Sequence, residues 1–441
     1  MGIFGELMAF FMLFSGALLT VRLRFFQFSH LLRSLRAPFS GKKKANGISG
    51  FQAMATALGG SVGTANIAGV AGAIVIGGPG AVFWMWVAAL LGMATKCAEI
   101  LLAVKYRGGA MVCIERGMGQ KYRPLAVAFA VFGLLSSLFG TALVQSNTVA
   151  LSVYGVFSGL GISFEKTPVL LAAGLLTAIF AGSVIFGGAK RIGGFSEKAV
   201  PVMAIIYILS SLVIIIINRN RAFFVFKEIF RSALSVRSLG GSSVFLAFRT
   251  GVARGVYSNE AGVGSAPMAH ALSSEVDPVI EGMSGIFEVF FDTVVVCTMT
   301  ALVLLSSGIP IPYGASNVSG TALVSSAFEP LFGSFSPVFI SLLIIVFAFT
   351  SIVGWSLYGE SCAKYLFGDK IALPYRIVFT LLLPAFALVS VDKAWFIGEL
   401  LNYLMALPNL VMLLSLSGIA QKEVAAYKMF EKKPGKRYNR V

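Results

Sequence analysis

Long apolar blocks separated by short polar or basic stretches organise this chain. A membrane-spanning helix needs about 20 mostly apolar residues, and such runs occur eleven times, at 3–20, 48–76, 81–104, 125–154, 168–186, 200–217, 241–270, 280–305, 337–365, 371–390 and 395–418. The pattern predicts an all-α polytopic membrane protein. Two runs are interrupted from within. In the second, Gly59, Gly60, Ser61, Gly63, Thr64, Asn66, Gly69 and Gly72 crowd one stretch. An interior Gly costs about 1 kcal/mol of helix relative to Ala, and Ser, Thr and Asn bond backbone groups in non-helical ways. The seventh is broken by Gly251, Gly255, Gly262, Gly264 and Pro267. Backbone freed at membrane depth persists only where protein or a wet cavity covers it. The first interruption is therefore expected to wall a binding site, with close helix packing through small residues as the alternative.

Composition agrees: 57% of the 441 residues are hydrophobic and 12% are charged, where a soluble domain carries about 25% charged residues. The net charge of +16 lies between the apolar runs and at the C-terminus, which fits the excess of Lys and Arg on cytoplasmic loops and argues against nucleic-acid binding. Arg22, Arg24, Arg33, Arg36, Lys42, Lys43 and Lys44 follow the first run. Lys105, Arg107, Arg116, Lys121 and Arg123 follow the third, Lys190, Arg191 and Lys198 the fifth, and Lys422 to Arg440 the last. Eleven spans with the N-terminus outside put all of these in the cytoplasm. Arg219, Arg221, Lys227, Arg231 and Arg237 break the rule. Interleaved with Phe223, Phe224, Phe226, Ile229 and Phe230, they predict an amphipathic interfacial helix. Cys97, Cys113, Cys297 and Cys362 lack metal-ligand spacing. No Lys or Arg precedes the first run, so it reads as a retained span and not as a secretory signal.

The interrupted runs each open a block of five, a positional hallmark of inverted-repeat transporters with a midplane site. The expected organisation is an N-terminal helix and basic loop (1–47), a first five-helix repeat with an external amphipathic segment (48–239), a second repeat (240–418) and a basic tail (419–441). An odd number of spans per half makes the halves enter the membrane from opposite sides. Half-helix N-termini suit a carboxylate, and half-helix C-termini suit Na⁺ or an ammonium group. A zwitterionic amino acid satisfies both.

Specific motifs carry a resemblance. Ser61-Val-Gly-Thr-Ala-Asn-Ile-Ala-Gly-Val-Ala-Gly72, Gly77-Gly-Pro-Gly-Ala-Val-Phe-Trp-Met-Trp86, Lys96-Cys-Ala-Glu99, Val104-Lys-Tyr-Arg107, Gly187-Gly-Ala-Lys-Arg-Ile192 and Arg254-Gly-Val-Tyr-Ser-Asn-Glu-Ala-Gly-Val-Gly-Ser-Ala-Pro267 are similar to the alanine or glycine:cation symporters. So are Phe291 to Leu302, Ala348 to Trp355, Tyr358-Gly-Glu360 and Leu404 to Leu410, so the resemblance spans nearly the whole chain. It implies a LeuT-type fold of two inverted five-helix repeats plus one extra helix, here the first. It also implies Na⁺-coupled, sometimes H⁺-coupled, uptake of small amino acids such as alanine and glycine across a bacterial-type inner membrane. No cofactor and no obligate protein partner are implied. Three positions depart from the family pattern: Ala65 replaces a Gly, no Asn precedes Gln145 in Gly140-Thr-Ala-Leu-Val-Gln, and Glu399 replaces an Asp.

On that basis Ser61, Gly63, Thr64, Asn66, Gln145 and Trp355 are the expected substrate ligands, with Asn147 assigned to helix contact. Trp355 is either a pocket wall or an interfacial belt residue. Thr350 and Ser351 supply uncharged hydroxyls for Na⁺, completed by carbonyls near Gly59 and Val62, unless they bond only their own helix. Ionisable residues within apolar runs are expected to pair or to function. Arg254 and Glu260 form a gate or a structural ion pair. Glu288 and Asp292, at i and i+4, repel and favour a proton or a cation nearby. Lys96 and Glu99 read as a helix-end pair. The competing function is a cation channel with a Gly-lined pore, which lacks a filter motif.

Overall fold

The computed structural model describes residues 2–39, 47–234, 244–275, 277–315 and 318–431. Lys42, Lys43, Lys44, Arg237 and the tail beyond Glu431, used above to assign sides, lie outside the described residues. The molecule is helical, and among the described residues the only extended pairing is one bridge between Ile48 and Ser273. The chain begins with α1 (Gly2–Arg22), the broken pair α2 (Gly50–Ser61) and α3 (Ala65–Gly77), then α4 (Gly80–Tyr106) and α5 (Gln120–Gly159). α6 (Lys166–Ile185), α7 (Gly188–Ile217) and α8 (Arg219–Leu234) follow. A second broken pair, α9 (Val244–Asn259) and α10 (Pro267–His270), leads to α11 (Pro278–Ser306), α12 (Gly320–Phe332), α13 (Ser336–Phe367), α14 (Ala372–Phe386) and α15 (Val391–Glu431).

Among the described residues eight helices are long and apolar enough to cross a membrane, and the α2–α3 pair, bent by 52°, makes nine. The sequence pattern gave eleven. The two that fall short are the broken seventh run, whose halves have 16 and 4 residues, and the tenth, which is helical for only 15 residues. The seventh breaks where Glu260, Gly262 and Gly264 adopt positive φ of 54°, 97° and 86°, a region that glycine enters freely and other residues rarely. Two boundaries also move. α7 begins at Gly188, so the basic turn expected before the sixth run is its first turns, and α15 continues through Gly418 to Glu431, so the expected start of the tail falls inside a helix.

The stretch 306–336 between the eighth and ninth apolar runs, which carries no Lys or Arg, holds a helix of its own. Ser319 caps α12 by accepting a hydrogen bond from the Ala322 amide at 3.3 Å. A Cβ at Gly320 would lie 3.0 Å from the carbonyl carbon of Ala68, so α12 rests on the first turns of α3. The segment that broke the charge rule forms α8. Its Val225 and Ile229 are buried, its Phe226 and Phe230 rings meet Trp86, and Phe223 and Phe224 are 79% and 67% exposed. That is the amphipathic helix the sequence called for.

The basic stretches collect at one end. His30 and Arg33 pair with Glu431, Lys105 pairs with Glu423, and Tyr365 donates to Glu115 at 2.7 Å. The start of α1 lies at the opposite end. The core is built on α4, in which every residue from Met93 to Val104 is buried. α9 crosses it through Gly251 and Gly255. A Cβ at Gly251 would meet the Ala81 carbonyl and lie 2.8 Å from Trp84 Cβ, and one at Gly255 would lie 3.1 Å from Ala88 Cβ. Overpacking such a crossing costs about 1–3 kcal/mol. Gly251→Val is therefore expected to lower the thermal unfolding midpoint of the detergent-solubilised protein; an unchanged midpoint would show that α9 does not cross α4 this closely.

Candidate functional site

The first break is held at its entry. Ser49 and Gln52 form a reciprocal capping box, with Gln52 N donating to Ser49 Oγ at 3.1 Å and Ser49 N to Gln52 Oε1 at 3.0 Å. α2 ends at Ser61, and Val62 turns the chain to an extended conformation at φ −70° and ψ 101°. The helix resumes as one wide π turn, Ala65–Gly69, a form that concentrates at functional sites. Asn66 closes the gap. Its Oδ1 accepts from Gly63 N at 2.8 Å, its Nδ2 donates to Asp292 Oδ1 at 2.8 Å and Ser258 Oγ at 2.9 Å, and its carbonyl accepts from Thr300 Oγ1 at 2.7 Å. Asn66 is fully buried and engaged at both ends of its amide. Named above among the substrate ligands, Asn66 has its side chain clasping the break to α9 and α11.

Three helices meet beside that clasp. Ser351 on α13 donates to the Gly59 carbonyl at 3.0 Å and shares its hydroxyl with Phe347 O at 3.2 Å. A Cβ at Gly59 would lie 3.4 Å from Thr350 Cβ, and one at Gly63 would lie 3.2 Å from Ser351 Oγ and 3.6 Å from Gln145 Nε2 on α5. Glycine is what lets α2 come this close to α13 and α5. Thr350 donates to Phe347 O at 2.9 Å and Ser61 to Leu58 O at 3.5 Å, each within its own helix, while Val62 is fully buried. Thr64 Oγ1 and Gln145 Oε1 are buried without a hydrogen-bond partner. Such atoms cost about 1–3 kcal/mol each when left unmet, and both belong to residues next to Gly63. Asn147 donates to the carbonyls of Ala387 and Val389, the helix contact expected of it. Ala65 Cβ lies 3.6 Å from where a Cβ on Gly69 would stand, which narrows this side of the break.

The charged residues pair differently from the expectation. Arg254 bonds Glu399 at 3.3 Å and lies over the Trp395 ring at 5.7 Å, whereas Glu260 accepts from Ser265 Oγ at 2.6 Å and Trp355 Nε1 at 3.2 Å. There is no Arg254–Glu260 pair. Trp355 is fully buried, which excludes a place in an interfacial belt. Glu288 and Asp292 are also separated by their partners. His270 Nε2 and Glu288 Oε1 are hydrogen-bonded at 2.6 Å, with His270 Nδ1 and Glu281 Oε1 at 2.7 Å. Asp292 accepts from Asn66, from Ser258 at 2.6 Å and from Thr293 at 2.9 Å.

Lys96 and Glu99 are not a helix-end pair either. Lys96 donates to the Asn259 carbonyl at 2.9 Å, and Glu99 accepts from Gly262 N at 3.0 Å and Asn409 Nδ2 at 2.5 Å. α4 runs along the second break, and its two ionisable side chains meet backbone groups that the break leaves open. The sequence signal for this was present, since Lys96 and Glu99 sit deep in an apolar run. Ser258, His270, Glu281 and Asn409 carried no comparable signal. Among the described residues no cluster of three or more His, Cys, Asp or Glu side chains is arranged to hold a metal ion.

A cavity of about 410 Å³ opens between α1, α3, α9 and α15, at the end of the molecule where α1 begins. Glu6, Arg249, Arg254 and Glu399 supply its charges, and Arg249 bonds Glu6 at 2.9 Å. Arg254 Cδ is 3.9 Å from where a Cβ on Gly69 would stand, so a side chain that lines the cavity touches the π turn of α3.

With this geometry in view, comparison with known proteins places the chain. Residues 2–440 match the sodium:alanine symporter family. The sodium/alanine symporter AgcS of Methanococcus maripaludis is 40% identical over 98% of this chain and 97% of its own length. In three dimensions the chain resembles MhsT crystallised with L-phenylalanine, with a TM-score of 0.59 and 11% identity over 87% of this chain and 99% of the other. It also resembles the manganese transporter of Eremococcus coleocola, crystallised with an aromatic bis-isothiourea compound, with a TM-score of 0.56 and 14% identity over 87% and 77%. These two share the LeuT-type fold, and at such low identity they speak to fold alone. The chain belongs to the sodium:alanine symporter family, as a multi-pass membrane transporter and not an enzyme.

Proposed function

We propose that the protein is a secondary active symporter that couples Na⁺ entry to uptake of a small neutral amino acid such as alanine or glycine. The observation that carries this reading is the contact of the Ser351 hydroxyl with the Gly59 carbonyl at the end of a broken half-helix. A carbonyl at a half-helix C-terminus carries the negative end of the helix dipole and suits a cation. The Gly59 and Val62 carbonyls with the Thr350 and Ser351 hydroxyls would hold Na⁺. Next to them, the amides opening α3 and the Thr64 hydroxyl would take the substrate carboxylate, and the unpartnered Gln145 Oε1 its ammonium. The identity to a named sodium/alanine symporter supports alanine as cargo. Ala65 favours the small side of the range.

The same reading arranges α2 to α7 and α9 to α15 as two inverted halves behind the extra helix α1, with eleven spans in a bacterial-type inner membrane. The end that gathers Arg33, Lys105 and their partners faces the cytoplasm by the charge rule, which leaves the start of α1 and the Arg254–Glu399 cavity outside. Opposite entry of the two halves provides alternating access, with that cavity as the external approach.

In proteoliposomes, alanine uptake is expected to follow an inward Na⁺ gradient; uptake indifferent to both Na⁺ and H⁺ gradients would remove the coupling. Thr350→Ala is expected to raise the Na⁺ concentration for half-maximal uptake about tenfold, the loss of roughly 1.4 kcal/mol of ion binding, and an unchanged Na⁺ requirement would take Thr350 out of the site. Gln145→Ala should instead raise the KM for alanine by about tenfold or more, the loss of one hydrogen bond to a charged group. Equal effects on Na⁺ and alanine dependence would show that Gln145 does not act on substrate alone.

A further inference from the structure

The two breaks expose similar backbone but meet it differently. At the first, a neutral hydroxyl touches the freed carbonyl. At the second, α9 ends at Asn259, Glu260 turns to φ 54°, and no helix resumes before Pro267. The Asn259 carbonyl thus stands at a half-helix C-terminus, the kind of group that coordinates cations in transporters built on discontinuous helices. What reaches it is the Lys96 ammonium, at 2.9 Å.

The surroundings of that ammonium are those of a bound ion. Its Nζ is 3.9 Å from Glu288 Oε2, an oxygen with no hydrogen-bond partner, and the two side chains are 1% and 2% exposed. The stem is accommodated by a glycine: a Cβ at Gly285 would lie 3.0 Å from Lys96 Cγ. On the far side His270 bonds Glu288 through its other oxygen, leaving Oε2 to face Lys96.

We infer that Lys96 is a tethered cation that fills the ion position of the second break, so that the first break alone takes an ion from solution. This rests on the symporter reading and sharpens it, because it limits the cycle to one exchangeable cation. It also names the chemistry that can replace the side chain, a small monovalent cation such as Na⁺ or a primary ammonium. Removing Lys96 would leave the Asn259 carbonyl and Glu288 Oε2 open to such an ion.

The test is Lys96→Met in the full-length chain, purified in detergent and titrated with Na⁺ or methylammonium while ²²Na⁺ binding and the thermal unfolding midpoint are followed. The wild type is expected to bind one Na⁺ and to show no response to methylammonium. The variant should gain a second Na⁺ and a rise in midpoint with methylammonium, and a variant that folds only when either cation is supplied supports the same conclusion. Na⁺ and methylammonium titrations superimposable on those of the wild type would overturn the inference. So would a variant that fails to fold at every concentration of both cations, since an ion position must be fillable from solution. A wild type that binds no Na⁺ would count against the symport reading, while the comparison of methylammonium responses would still judge Lys96.

Discussion

The hydrogen bonds of Asn66 decide whether the first broken helix can exist. Hydrocarbon offers no partner to a freed amide or carbonyl, and Val62 to Thr64 free several at once. Asn66 accepts from the Gly63 amide with its side-chain oxygen Oδ1 and sends its NH₂ to Asp292 and Ser258. One side chain thereby caps the break locally and fastens it to α9 and α11. Because Ser258 is the next-to-last residue of α9, the same bonds bring the first break against the end of the helix that carries the second.

The second break follows the same constraint with different chemistry. Lys96 meets the Asn259 carbonyl, Glu99 the Gly262 amide and Asn409 Nδ2 the Gly262 carbonyl at 2.9 Å. Ionised groups bond backbone more strongly than neutral ones, and burial makes each an expense unless it is met. The chain spends such groups where helices are interrupted. That explains why so many buried acids, Glu99, Glu260, Glu288 and Asp292 among them, lie around one end of α9 and not along the lipid-facing spans.

The breaks themselves were legible in the sequence, since clustered glycines beside Ser, Thr and Asn leave few other readings in a membrane helix. So was the approach of Thr350 and Ser351 to Gly59, although only through likeness to a known family. Pairings were not legible. Arg254 bonds Glu399, 145 residues away, rather than Glu260 on the same segment, because the break at Glu260 turns that carboxylate towards Trp355 and Ser265. Lys96 and Glu99 satisfy spacing rules for an i, i+3 pair and yet serve two ends of one gap. Spacing describes neighbours on an unbroken helix and is silent about backbone vacated by a different one. The helix α12 escaped notice for a similar reason: its apolar face packs on Phe339 of α13 and Tyr207 of α7 and shows no span-length run of its own.

The seat of Gly320 on the Ala68 carbonyl leaves no room for even a methyl group between α12 and α3. Two surfaces in contact without an intervening side chain have no lever arm through which one can tilt while the other stays. α12 therefore cannot slide on α3 without displacing backbone, and its Phe328 and Phe332 rings are packed on Phe339 of α13 as well. Any motion of α3 relative to α13 would have to give up one of these two contacts, so the segment between the eighth and ninth runs braces two helices and is more than a cover.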